Sequence, residues 1–207
     1  MTFLHHTVLL SAAGNLLIGV LALQGDFREH ENLISSLGFE AKKVRRPQDL
    51  ADLGALIIPG GESTAISNLA KSFGMLQPIR DAIDSGLPVL GTCAGLIMLA
   101  DEVEGAIAGQ EFIGGLPVKV SRNAYGGQTH SFEATVDISG QHENVAFIRA
   151  PKILDSSKVE VVATLGSEPV AVRKGNVWGA TFHPEITGST VLHNLFLGQL
   201  KRQNPVT

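Results

Sequence analysis

The sequence predicts an α/β fold of three layers. A mostly parallel sheet carries helices on both faces, and the second half is mixed and partly antiparallel. Three observations carry this. The first hundred residues alternate short apolar runs with helix-length segments, the order that builds parallel sheets. The runs "LLIGVLAL" (16–23) and "ALII" (55–58) are apolar throughout, as strands buried on both faces must be. After Ala100 the texture changes to short strands separated by Gly, Asn and Asp, the pattern of antiparallel hairpins.

Taken in order, residues 16–23 read as the first strand. A helix follows over 27–37, with Gly38 placed just beyond it where a left-handed cap is favoured. Residues 41–44 and 55–58 are strands, the second closed by Pro59-Gly60-Gly61. A helix over 64–73 takes Ser63 as its N-cap, and another spans 76–85. Strand 88–90 leads into a helix that starts near Cys93. The segments "LPVKVS", "SFEATVDI", "VAFI", "VEVVATL", "EPVAVRK" and "NVWGATF" supply the strands between 116 and 182, and a helix over 189–201 follows. Residues 1–15 are expected to be a loose N-terminal extension, and 16–203 a single domain.

At 44% hydrophobic and 17% charged, the chain has the apolar content for a buried core and excludes the disordered class. A net charge of −4 gives no footprint for nucleic acid, and the basic cluster Lys42-Lys43-Val44-Arg45-Arg46 reads as a solvated strand end. The uncharged run 7–24 is as long as a membrane span. No Lys or Arg precedes it and Gly14-Asn15 divides it, so its second half reads as a strand and neither membrane nor signal peptide is expected. One cysteine permits no internal disulfide, and no Cys/His spacing suits zinc. The expected compartment is the cytoplasm, with no metal and no cofactor.

That single cysteine stands in "PVLGTCAGLIMLA" (88–100). Gly91-Thr92-Cys93-Ala94-Gly95 between a strand and a helix is a nucleophile elbow with sulfur in place of the serine oxygen. Glycine on either side avoids clashes at a tight, strained turn. The helix N-terminus favours thiolate, and the Ala94 amide faces any oxyanion formed there. The plain alternative is a small buried hydrophobe, the common fate of a free cysteine. A phosphate loop fits less well, because the dinucleotide spacing and the P-loop lysine are both absent.

A thiol nucleophile needs an oriented base. "VWGATFHPE" ends an apolar strand with His183-Pro184-Glu185. If proline keeps this stretch extended, residues two apart share a side, and Glu185 can hold one nitrogen of His183 while the other faces the thiol. Pro59-Gly-Gly-Glu-Ser63 ends another strand, and the bare amides of Gly60 or Gly61 suit an oxyanion hole completed by Ala94. Nucleophile, base with its orienter, and oxyanion cradle together imply acyl transfer through a thioester, with His183 protonating the leaving group.

These residues resemble the class I glutamine amidotransferases, in which a Cys-His-Glu triad hydrolyses glutamine. The resemblance narrows at "GVLALQGDFREH" (19–30), "PGGEST" (59–64), "GTCAGLI" (91–97), "RNAYG" (122–126), "SFEA" (131–134), "IRAP" (148–151) and "FHPE" (182–185). In that order they are similar to the glutaminase subunits of pyridoxal 5′-phosphate synthase, over about residues 18–200. The resemblance implies Cys93, His183 and Glu185 as the triad. It implies glutamine contacts from Gly61, Glu62, Ser63, Arg122, Ile148 and Arg149. It also implies a partner, a barrel-type synthase subunit that takes up the ammonia in a hetero-oligomer. Gly127 departs from the family, which usually has arginine there, and this points to altered docking. Competing readings are a glutaminase serving another synthase and a catalytically silent regulatory module of the same fold.

Overall fold

The computed structural model describes residues 16–122 and 131–203. The expected extension (1–15), Gly127 and most of "RNAYG" lie outside the described residues. Elements β1 (Leu17–Leu21), α1 (Phe27–Ser36), β2 (Glu40–Val44), β3 (Ala55–Ile58), α2 (Ser63–Ser72), α3 (Leu76–Asp84), β4 (Val89–Thr92) and α4 (Ala94–Leu99) alternate as expected. A short 3-10 turn, Pro47–Leu50, precedes β3. The strands β5 (Ala100–Glu104), β6 (Leu116–Ser121), β7 (Ser131–Ile138), β8 (Gln141–Ile148), β9 (Lys152–Asp155), β10 (Glu160–Leu165), β11 (Glu168–Lys174) and β12 (Val177–Ala180) follow, then helices α5 (Pro184–Thr187) and α6 (Val191–Gln203).

Nine strands form one sheet in the order β2-β1-β3-β4-β12-β11-β10-β7-β8. From β2 to β12 every pairing is parallel, and from β12 to β8 every pairing is antiparallel. The parallel half is buried on both faces, so its residues divide between two cores by alternation. Ile18, Val20, Ala55 and Ile57 pack on the side that carries buried residues of α1 and α6. Leu21, Leu56 and Ile58 pack on the side of α2, α3 and α4.

The helix expected to start near Cys93 is α4, Ala94–Leu99. All six residues of α4 are buried, the helix packing on β3, β4 and β12 and against α2; a second sheet, β5-β6-β9, was not expected from the sequence. Ala100 then turns extended (φ −66°, ψ 141°) and opens β5. The N-cap of α2 is Glu62, not Ser63. The Glu62 carboxylate accepts from the amides of Thr64 (3.0 Å) and Ala65 (2.6 Å), and Ser63 is the first helical residue.

The strand order positions the site. From β1 the chain moves to β2 on one side and returns to β3 on the other, so the order reverses there. Loops 22–26 and 59–62 therefore meet at the carboxyl ends of adjacent strands, the crevice where open α/β sheets take ligands. The Asp26 amide donates to the Gly60 carbonyl (3.1 Å), and the Glu62 amide donates to Gln24 Oε1 (2.8 Å). Gly25 (φ +94°) is required at this junction: a Cβ there would run into the Gly60 carbonyl.

Candidate active site

Cys93 sits on the turn between β4 and α4 with φ 48° and ψ −103°, a strained conformation for a residue with a side chain. The flanking glycines have a steric cause. A Cβ on Gly91 would stand 2.5 Å from the Gly95 carbonyl carbon, and one on Gly95 would enter the Ile58 carbonyl. Neighbouring β12 is in register with β4, Ala180 beside Thr92, and the Cys93 amide donates to Ala180 (2.8 Å). His183 therefore emerges three residues beyond that pairing, although ninety residues separate it from Cys93 in sequence.

The His-Pro-Glu stretch is not extended as the sequence suggested. Pro184 opens the short helix α5, with His183 at its N-cap (φ −112°, ψ 87°). Proline is as well suited to the first helical position as to an extended one. The side chains still meet: His183 Nδ1 lies 2.8 Å from Glu185 Oε1 and 3.4 Å from Asp26 Oδ2. The His183 amide donates to Ala146 in β8 (2.8 Å), which fixes the backbone from the far edge of the sheet. With Nδ1 engaged, Nε2 is the nitrogen left for Cys93, and it is buried with no other hydrogen-bond partner among the described residues.

Electrostatics follow from this enclosure. Burial works against an imidazolium at His183, yet hydrogen bonds with Asp26, Cys93 and Glu185 outweigh it and push its pKa up to about 12. Burial pushes the Glu185 carboxyl up, and the His183 hydrogen bond pulls it back. Asp26 stands at the N-cap of α1 without capping it, its carboxylate being turned towards His183.

The cavity is about 250 Å³ and is lined by Gln24, Gly25, Asp26, Gly61, Glu62, Ser63, Cys93, Ile97, Arg122, Ile148, Arg149, His183 and Ile186. That is at the small end of ligand pockets, roughly 300–1,000 Å³, and suits a small polar molecule. Six substrate residues expected from the resemblance line it together with Cys93 and His183. Glu185, Gly60 and Ala94 stand outside the lining. Glu185 lies behind His183, Ala94 is the buried first residue of α4, and Gly60 backs the His183 ring, where a Cβ would collide with Cε1.

Arg122 is held on three sides. It donates to Gln110 (2.8 Å), Glu62 (3.1 Å) and Thr64 (3.2 Å). Burial tends to raise the Glu62 carboxyl, but the amides of Thr64 and Ala65, then Thr64's hydroxyl and Arg122, hold it below its ordinary value. Ile148 presents its carbonyl 3.8 Å from Cys93 Sγ, and Arg149 adopts φ 48°. Asp26, His183 and Glu185 have ligand atoms within 4.8 Å of one another, a spacing that their mutual hydrogen bonding explains. Sequence reasoning missed Gln24, Asp26, Ile97 and Ile186 as lining residues. Gln24 and Asp26 fall in "LQGDFREH", which carries the family resemblance but no catalytic spacing of its own.

The model of the SNO glutamine amidotransferase family matches residues 20–202. This chain belongs to that family. Among curated relatives of this amidotransferase, pyridoxal 5′-phosphate synthase subunit PdxT of Streptomyces avermitilis is 50% identical over 188 residues, covering 89% of this chain and 94% of the relative. The PdxT of Thermosipho africanus is 44% identical, covering 89% and 99%. A solved crystal structure of a glutamine amidotransferase superposes with a TM-score of 0.83 at 46% identity, covering 88% of this chain and 98% of its own. PurLQS from Thermotoga maritima shares the fold alone (TM-score 0.65, 18% identity).

Proposed function

We propose that this amidotransferase hydrolyses L-glutamine to L-glutamate and ammonia, and that it delivers the ammonia to a synthase subunit making pyridoxal 5′-phosphate. One observation supports the chemistry above the rest. The only cysteine stands on a strained elbow beside a buried imidazole whose Nδ1 is bound by a carboxylate and whose Nε2 has no other partner among the described residues. PdxT relatives near 50% identity support the pathway.

In this reading the imidazolium of His183 already holds the shared proton on Nε2 as Cys93 Sγ attacks the carboxamide carbon of glutamine. The amides of Ala94 and of Gly60 or Gly61 receive the oxyanion. The C–N bond then breaks, His183 gives the proton to the departing ammonia, and a thioester remains on Cys93. Water attacks that thioester with His183 as base, freeing glutamate and the thiol. The high basicity of His183 fits both halves. It depends partly on the sulfur, so it falls once the sulfur is acylated, and the imidazolium can then release its proton.

Arg122 and Arg149 are candidates for the α-carboxylate, since a guanidinium fork matches carboxylate geometry. Glu62 and the Ile148 carbonyl are candidates for the α-ammonium. The synthase partner is proposed to be a barrel-type subunit in a hetero-oligomer, and the compartment the cytoplasm. No helix among the described residues is long and apolar enough to cross a membrane. The test is glutamate formation from glutamine by the chain alone and with the synthase subunit, beside Cys93→Ala. Activity that the partner raises and the variant lacks supports the reading. A folded, partner-bound chain that releases no glutamate sinks it and favours the silent module.

A further inference from the structure

Behind Glu185 lies a polar cluster that the proposed reaction does not use. His30, on α1, is fully buried, as are Thr92 beside the nucleophile and His193 on α6. His30 Nδ1 is 3.1 Å from His193 Nε2. His30 Nε2 is 3.1 Å from Thr92 Oγ1 and 3.4 Å from Glu185 Oε2. Glu185 Oε2 and His193 Nδ1 are both buried with no hydrogen-bond partner among the described residues.

Burial and the neighbouring histidines His193 and His183 drive the His30 pKa well below its usual value, and burial takes His193 down to about 3. Both rings are therefore neutral, each with one N–H, and a single proton lies between them. If His30 gave that proton to His193, His193 would carry its own on Nδ1, a buried N–H with nothing to donate to. His30 Nε2 could then only accept, from the Thr92 hydroxyl, with its lone pair also 3.4 Å from Glu185 Oε2. If His193 donates instead, His30 carries its proton on Nε2, aimed at Thr92 and at Glu185 Oε2. Only an acceptor, His193 Nδ1, is then left over. An orphaned buried donor together with a lone pair against a carboxylate costs more than one idle acceptor, so the second arrangement is selected.

We propose that His30 is a positioning residue whose Nε2–H anchors the outer oxygen of Glu185, with His193 fixing its tautomer. This rests on the glutaminase reading above. The groups that face the Glu185 carboxylate are His183, His30 and Asp26, and His193 stands behind His30. The Glu185 backbone amide also donates to the carboxylate; of these side chains only His183 and His30 can, one to each oxygen. Removing the His30 donor leaves Glu185 less able to hold an imidazolium at His183, while the substrate contacts are untouched. The expected signature is a loss in kcat with KM preserved.

The test uses the full chain with its synthase partner, comparing His30→Leu with His30→Gln, whose amide can reach the Nε2 position. His30→Leu is expected to lose kcat roughly tenfold to a hundredfold, as loss of an outer-shell partner commonly does, with KM within about twofold. His30→Gln should recover most of it. In the same proteins, iodoacetamide alkylation of Cys93 should move its acid limb to higher pH in His30→Leu and not in His30→Gln. Nitrogen-15 NMR of the wild-type chain should show His30 protonated at Nε2. Equal kcat losses in both variants, an unmoved alkylation profile, or a proton on Nδ1 would each overturn the proposal. The alkylation and tautomer measurements need no glutamine, so a failure of the glutaminase reading remains a separate result.

Discussion

The Cys93 amide donates to the Ala180 carbonyl at 2.8 Å, which ties the elbow to the strand that delivers His183. The two residues of the proposed thiol–imidazole pair thus hang from adjacent, in-register strands, and sheet geometry rather than loop geometry sets their separation. Such a site needs little rearrangement before reaction.

That rigidity makes Cys93→Ala a clean probe. Alanine keeps the backbone and nearly the volume, so the variant should fold with an unchanged circular dichroism spectrum and release no measurable glutamate. Cys93→Ser should retain no more than about one-thousandth of wild-type kcat, since removing a triad nucleophile leaves only positioning and oxyanion binding. Serine activity within tenfold of wild type would show that another residue attacks.

Glycine substitutions separate steric need from local flexibility. Gly95→Ala places a methyl group in the Ile58 carbonyl, where two backbone segments touch, and should cost about 2–3 kcal/mol or more. Gly198→Ala, inside α6 with nothing within 4 Å of the added atom, should stabilise by about 0.5–1 kcal/mol. Urea midpoints of the two variants check both signs. A Gly95→Ala protein as stable as wild type would mean that the elbow relaxes.

The parallel half and the elbow were legible because their causes are local: apolar runs without alternation, and Gly-X-Cys-X-Gly at a turn that tolerates no extra Cβ. The second sheet was not legible. Its first strand, β5, is "ADEVE" (100–104), mostly acidic and exposed, with no apolar run to mark a strand. His-Pro-Glu misled because proline fits both an extended run and a first helical turn. His30 did leave a signal, standing one turn before Leu33 and Ile34 on the buried stripe of α1. Its charged neighbours Arg28, Glu29 and Glu31 mask that stripe. His193 is similar, spaced three and four from buried Phe196 and Leu197.

Arg122 should matter for affinity more than for turnover. Its bonds to Gln110, Glu62 and Thr64 hold the guanidinium at the cavity wall, and lysine cannot reproduce three such contacts with one ammonium. Arg122→Lys should raise KM for glutamine about tenfold, or ~1.4 kcal/mol, with kcat within threefold. A large fall in kcat at unchanged KM would place Arg122 in the chemistry instead of in binding.

Stability should decline on mild acidification, and two buried histidines give the sign. His30 and His193 are held neutral when folded, His193 with a pKa near 3, whereas in the unfolded chain each titrates near 6.5. Between those values the unfolded chain binds more protons, so lowering the pH favours unfolding. His183 acts oppositely. Raised to about 12, it contributes stability fully present below about pH 6.5 and lost as pH rises above that, so it adds no slope on the acid side. From pH 7 to pH 5 His193 should therefore cost about 2 kcal/mol, with His30 acting in the same direction. His193→Gln removes one of them and should lessen the fall in unfolding free energy across that range by about 2 kcal/mol, measured by urea titration. An identical fall in wild type and variant would mean that His193 is protonated in the native protein, and the buried pair would need a different account.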